Sequence, residues 1–301
     1  MIFARLTQRW HALRYWREHQ SLTQLAQTAR QPDLPADDLF QQVSTRDYLA
    51  RGLGVRERMR CVLAHHRFEQ ATFGAAYRQA VAGDGLILWQ HQADAENGGG
   101  SFALRLASAP RHDPEGELTL SLLADGKVLH RLSWTWVEGS LFDVASPIVP
   151  FVTRNAGLWR DAGEAFDAFE RVFPNNSPSF FCFAALQGAC QALDIDRVVA
   201  VRGAAHVAYD PAQDKAFENA YDGFWRILGG AEKDARTCLV TLPFYLKPLA
   251  DMPSKHRKRA AQRREHWRAI GDAARATLLR HMAPAGAAQT LAAEEPSTAK
   301  A

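Results

Sequence analysis

No apolar run in this sequence approaches the length of a membrane span. CLVTLPFYL, Cys238 to Leu246, is among the longest, about half of the roughly 20 residues a spanning helix needs. The N-terminus, MIFARLTQRWHALRYWREHQ, is interrupted by Arg5, Arg9, Arg14 and Arg17, so no secretory h-region is expected there. Cysteine is scarce: Cys61, Cys182, Cys190 and Cys238 are the four, with no CxxC pair and no zinc-like spacing. Cys182 and Cys190 fall eight residues apart on one predicted helix, too far along its axis to bond. Reduced, buried thiols in a cytoplasmic protein are the reading. No Ser/His/Asp or Cys/His arrangement stands out, no metal spacing occurs, no internal repeat occurs, and no cofactor is implied.

Charge of one sign is also nearly absent overall. The net charge is +3 over 301 residues. Its distribution is uneven. From Pro253 to Met282 nine Lys and Arg stand against Glu265 and Asp272. This stretch carries about +7, which leaves the rest of the chain mildly acidic. Its densest part is KHRKRAAQRREHWRAI, Lys255 to Ile270.

What is present reads as a mixed α/β (α+β) fold. Residues 1–80 read as helices, among them a stripe of Phe3, Leu6, Trp10 and Leu13 at helical spacing. That helix either docks on the body or lies on a membrane surface as a basic amphipathic segment. The texture changes at Gly83. GLILWQH, SFALRLAS, GELTLSLL and KVLHRLSWTWV alternate in period two and predict an antiparallel meander. Its last turn, Ala124-Asp125-Gly126, is a strong hairpin signal. After Pro150, AGLWRDAGEAFDAFERVF predicts a helix. Ser177 as N-cap and Pro178 at the first helical position predict the start of another. DRVVAV and TCLVTLPF predict further strands, and a long helix runs from Pro253 to about Met282. The expected division is a helical region at 1–80, a core at 81–250, a basic helix at 251–282, and a tail at 283–301 that lacks periodicity and reads as disordered.

Five stretches stand out together: YLARGLGVRERMRCVLAHHRF; PEGELTLSLLADGKVLHRLSW; AALQGACQALDI with its strand RVVAV; HVAYD leading into YDGFWRILGG; and KHRKRAAQRREHWR. Together they resemble the VirK/YbjX family of Gram-negative bacteria, a family without an established biochemical activity. The chain departs from the family pattern at LFDVASPIVPF and at VFPNNSP. The resemblance implies an envelope-related role, since known members are virulence factors. It implies no reaction. The order of elements also looks like a GNAT-type acyltransferase, a likeness of fold and not of function. The GNAT phosphate loop, Arg/Gln-x-x-Gly-x-Gly/Ala, is absent, so acetyl-CoA held in the usual way is not implied. Relatives of that fold use acyl carrier protein or aminoacyl-tRNA, and a basic helix suits such anionic donors.

The candidate site residues follow from position and chemistry. His206 lies just beyond the DRVVAV strand, where loops gather and acid/base groups are commonly set. It reads equally as a hydrogen-bonded structural histidine. Glu115 and Glu117 enter the third meander strand, placed to deprotonate an amine in a GNAT-like site or to serve as turn carboxylates. Tyr221 belongs to one of two Tyr-Asp pairs, Tyr209-Asp210 and Tyr221-Asp222; Asp222 reads as a helix cap. His206 and Glu117 are expected to face one cavity. On the basic helix, Ala260, Trp267, Ala274 and Leu278 form an apolar stripe. Arg257, Arg259, Arg263, Arg264 and Arg268 border it as a polyanion seat or a solvated face. Asn176 and Ser177 start a helix and could hold an anion.

The expected function is transfer of an acyl or aminoacyl group from a bulky anionic donor, acyl carrier protein or tRNA, to an amine. The alternative is a non-catalytic envelope accessory protein on anionic membrane or a partner protein. A nucleic-acid binder without chemistry is the third reading. The expected location is cytoplasmic, with a peripheral place at the inner membrane left open.

Overall fold

The computed structural model describes residues 14–28, 36–94, 99–110, 113–158 and 162–284. The Phe3-to-Leu13 stripe and the tail from 285 lie outside them. The chain opens with helices α1 (Trp16–Thr28), α2 (Ala36–Thr45), α3 (Val55–Thr72) and α4 (Ala75–Ala82). Strands β1 (Leu86–Gln92), β2 (Ser101–Ser108), β3 (Leu118–Ala124), β4 (Lys127–Glu138) and β5 (Ile148–Gly157) follow. Next come α5 (Gly163–Val172), α6 (Pro178–Ala192) and β6 (Arg197–Val201). The short helices α7 (Asp214–Ala220) and α8 (Asp222–Ile227), strands β7 (Ala231–Glu232) and β8 (Thr237–Thr241), and α9 (Ser254–His281) complete it.

All eight strands form one sheet in the order β1-β2-β3-β4-β5-β6-β8-β7. Every neighbouring pair is antiparallel except β5 and β6. The predicted meander is β1 to β4. Its β3–β4 hairpin turns on Asp125 (φ +48) and Gly126 (φ +79), both left-handed as a two-residue turn of this kind requires. All seven residues of β3 are buried, so helices cover both faces of the sheet. Trp136 of β4 meets α3 through Phe68, with ring centroids 5.3 Å apart.

The strand β5 was not expected. Ala156 and Gly157, read as the start of a helix, are its last residues, and the helix begins at Gly163. Pro147 and Pro150 argue against a central strand, and burial of both faces erases the period-two pattern. As the sequence predicts, α6 starts at Pro178 behind Ser177. The Ser177 hydroxyl, however, pairs with Ser179 Oγ at 2.7 Å and caps no backbone N–H.

α6 and α9 pack along each other through two glycines. A Cβ on Gly188 would stand 2.1 Å from the Gly271 carbonyl oxygen. Gly188→Ala should therefore lower stability by about 1–3 kcal/mol, the usual cost of overpacking. Urea unfolding of the variant measures it. An unchanged midpoint would mean that the helices are not in contact there.

Candidate functional site

β5 and β6 hydrogen-bond in parallel at two residue pairs, Phe151↔Val199 and Val152↔Ala200. Beyond them β5 stays with β4 as far as Gly157. The chain after Val201 instead turns through the short helix Gly203–Ala205. The divergence opens a cleft of about 680 Å³. Glu115, Arg154, Asn155, His206, Phe217 and Tyr221 are among its walls.

The YDGFW segment holds one wall in place. The Asp222 carboxylate accepts from Arg202 Nε at 2.8 Å and from the Gly203 N–H at 2.7 Å. Trp225 Nε1 donates to the Val201 carbonyl at 2.8 Å. Asp222, expected as a helix cap, thus clamps the turn that presents His206. Tyr221, one position earlier, faces His206 with ring centroids 4.8 Å apart.

His206 is 3% exposed. Its Nδ1 accepts the Ala208 N–H at 3.1 Å, which leaves the proton of the neutral ring on Nε2. Burial, then the charge of Arg154, pulls its pKa down to about 4. Nε2 lies 3.4 Å from Glu115 Oε1, and the Thr153 backbone also acts on the ring, but no well-formed hydrogen bond is made at Nε2. At neutral pH this contact is a neutral N–H facing a carboxyl group, not an ion pair. Burial pushes the Tyr221 phenol far up, helped by the charge of Glu115, so the hydroxyl keeps its proton.

Arg154 organises the carboxylates. It grips Asp113 with both terminal nitrogens, at 2.9 and 3.1 Å, and its Nε meets Glu115. Burial nevertheless raises the Glu115 pKa, against the pull of Arg154. The Arg154 pKa rises as well, despite burial, through Glu115 and Asp113. The two directions are compatible: one guanidinium gains from two acids, while each acid shares it with the other. Glu115 is left a carboxylate of raised basicity beside a neutral N–H donor. That pairing can take a proton from an amine and hold a developing oxyanion.

Glu117 is not among the residues lining this cleft. Residues 115 and 117 would share a face in regular strand. Gly116 breaks the alternation with φ +126, and a Cβ there would meet the Trp134 backbone at 3.0 Å. Glu117 instead accepts from the Tyr48 hydroxyl and lies 3.6 Å from His66 Nε2. Glu115, not Glu117, shares the cavity with His206.

Near half-buried Glu117 lies a buried carboxyl group, Glu69, which accepts from the Tyr77 hydroxyl at 2.9 Å and from Trp136 Nε1 at 3.1 Å. Burial pushes its pKa up to about 7. An acid raised in the folded state contributes stability below its ordinary pKa of 4.5 and loses it as pH rises through about 7. Glu69→Gln keeps the acceptor oxygen and removes the buried charge. It should exceed wild type by about 3 kcal/mol near pH 8 and converge with it in acid. Urea melts at both pH values test this; equal stability at pH 8 would place the Glu69 charge in water.

The basic helix forms a separate groove of about 480 Å³. Asn176 and Ser177 line it together with Lys247, Arg263, Arg264 and Trp267. Of the predicted stripe, Ala260, Ala274 and Leu278 are buried and Trp267 is half-buried, stacked on Phe180 at 4.7 Å. Arg257, Arg259 and Arg268 are exposed and do not line the groove. Arg257 and Arg263 donate to backbone carbonyls, of Met252 and Ala250 and of Asn175, and Arg264 donates to that of Lys247. Among the described residues no carboxylate pairs with these five arginines. Their charge is therefore not spent on the acidic body.

Sequence reasoning missed Asp113, Arg154 and Asn155. Asn155 is buried, bonding His130 at 2.8 Å and the Ala220 carbonyl at 2.7 Å. Arg154 and Asn155 sit on the strand that the prolines concealed. Asp113 was legible only as a turn residue before Pro114. Among the described residues no group of three or more His, Cys, Asp or Glu could hold a metal ion, and no helix is long and apolar enough to cross a membrane.

Residues 2–142 and 177–270 match a family described as a protein of unknown function, DUF535. The match includes Glu115, His206, Tyr221 and the basic helix as far as Ile270; Arg154 falls between its two parts. No curated protein and no solved structure matches the chain.

Proposed function

The chain belongs to the DUF535 family, which is the VirK/YbjX family, and from that premise we propose that it transfers an acyl or aminoacyl group to an amine in the cleft between β5 and β6. The observation that carries the reading is the buried His206 Nε2–H, without a well-formed partner, facing Glu115 in an open cavity. The strand order supports a GNAT-like core: a meander continued by one parallel pair, then a strand inserted from the end of the chain. Acyl carrier protein and aminoacyl-tRNA are the donor classes, because both are anionic and, among the described residues, Arg257, Arg259, Arg263, Arg264 and Arg268 of α9 have no acidic partner.

In this reading the amine attacks the donor carbonyl. His206 Nε2–H and a neighbouring donor hold the oxyanion. Glu115 takes the proton that the amine nitrogen loses. The tetrahedral carbon then expels the donor's thiolate or ribose oxygen, and the Tyr221 O–H protonates it. The proton on Glu115 restores Tyr221 through the cleft. An amide forms, a thioester or ester breaks, and the proton balance closes.

The test is single-turnover discharge of labelled aminoacyl-tRNA and of acyl-loaded carrier protein, each with a panel of polyamines and amino acids. The expected result is amine-dependent discharge of one donor. Discharge of both donors at the rate of buffer alone would overturn the proposal and return the protein to the non-catalytic accessory reading.

A further inference from the structure

The groove along α9 has a feature that neither a polyanion seat nor a solvated face needs. Ile227, Tyr245 and Leu246 line it and are 61%, 58% and 39% exposed. Seven large hydrophobics are exposed among the described residues, and these three fall together in one place. Ile227 ends α8, whereas Tyr245 and Leu246 belong to the segment after β8, so the cluster is assembled by the fold. Lys247, Arg263 and Arg264 stand beside it, and no acid lines the groove. In the walls Arg263 Nε, Trp267 Nε1 and Asn176 Oδ1 have no hydrogen-bond partner. Buried polar atoms are seldom left so.

We infer that this groove is a docking surface for an anionic phospholipid bilayer. Arg263, Arg264 and Lys247 would receive lipid phosphates, and Ile227, Tyr245 and Leu246 would enter the interface between headgroups and acyl chains. Apolar side chains beside cations are the composition by which peripheral surfaces bind anionic lipid. A nucleic acid would use the arginines and could stack on Tyr245, but it offers nothing to an exposed Ile227 or Leu246. An acidic protein helix is the competing partner. The bilayer is favoured because the cationic side of the rim continues into exposed Lys255, Arg257, Lys258 and Arg259, a spread suited to an extended charged plane. This inference draws on the same α9 arginines as the choice of donor in the transfer reading, but it does not need the chemistry at His206 and Glu115. A protein without catalysis could dock in the same way.

The experiment is flotation of the full chain with vesicles of phosphatidylcholine alone, or of phosphatidylcholine with phosphatidylglycerol. Bulk tRNA and acyl carrier protein serve as soluble competitors. Binding to the phosphatidylglycerol vesicles alone is expected. Arg263→Gln with Arg264→Gln should weaken it roughly 30-fold, at about 1 kcal/mol for each cation near the surface. These arginines also hold loop carbonyls, so a second variant is needed. Ile227→Asp with Leu246→Asp changes exposed side chains, should leave the melting temperature in place, and should weaken binding about tenfold or more. Equal binding to both vesicle types, or binding to neither, would overturn the inference. So would phosphatidylglycerol binding that the Ile227 and Leu246 pair leaves unchanged, since charge alone would then suffice. Displacement from vesicles by tRNA or carrier protein at stoichiometric concentration would assign the groove to that competitor.

Discussion

Glu115→Gln should slow amine-dependent discharge of the donor by about 10²–10⁴-fold, the range over which a positioned general base acts. The glutamine keeps an oxygen toward Arg154, and Arg154 keeps both bonds to Asp113, so stability should change little. A purely structural carboxylate would lower the rate and the melting temperature together. The pH profile separates the cases further. Burial raises the Glu115 pKa, so the wild-type rate should fall as acidification protonates it, and the residual rate of the variant should lack that limb. His206 needs a gentler substitution. Its ring is 3% exposed and packs against Tyr221 and Phe217. His206→Ala would therefore open a cavity costing about 3 kcal/mol and confuse folding with chemistry. His206→Gln retains a polar group near Ala208 and Glu115. A Glu115→Gln enzyme with wild-type rate would remove Glu115 from the reaction.

How much of this was legible depends on the range of the interactions concerned. The β3–β4 hairpin is local: Asp125-Gly126 sits between two alternating runs, and the turn follows from the allowed φ of those residues alone. The start of α6 is local too, since Pro178 at the first helical position carries it, although the Ser177 hydroxyl makes no cap. His206 was findable because it follows a short apolar strand, and positions after such strands gather loops. β5 was not findable. Pro150 within it, Pro147 just before it and its two buried faces remove every local cue, and with it went Arg154, the residue that binds Asp113 and Glu115 together. The exchange of Glu117 for Glu115 turns on one backbone angle at Gly116, which composition does not report. The basic helix showed its stripe by periodicity. The groove beside it did not show, because Tyr245, Leu246 and Ile227 reach it from distant parts of the chain.

The residue hidden in β5 should also have the largest effect on stability. Arg154→Met should destabilise the protein by about 3–5 kcal/mol, the cost of leaving a buried ionic partner unpaired. Arg154, Asp113 and Glu115 are 17%, 10% and 12% exposed, so little water reaches the carboxylates once the guanidinium is gone. Methionine fills much of the volume, which separates the charge effect from a cavity. The loss should depend on pH in a defined direction. Without Arg154 the Glu115 pKa, already raised by burial, rises further. The variant should then regain stability relative to wild type as pH falls and Glu115 takes a proton. Adding Asp113→Asn should recover part of the loss near pH 8 and less of it near pH 5. His206 offers an independent readout. The Arg154 charge helps hold its pKa at about 4, so the ring should titrate at higher pH in Arg154→Met, by NMR of the imidazole protons. A variant within about 1 kcal/mol of wild type at pH 8, with His206 unmoved, would mean that Arg154 and its acids are solvated and do not form the largely buried ionic cluster described above.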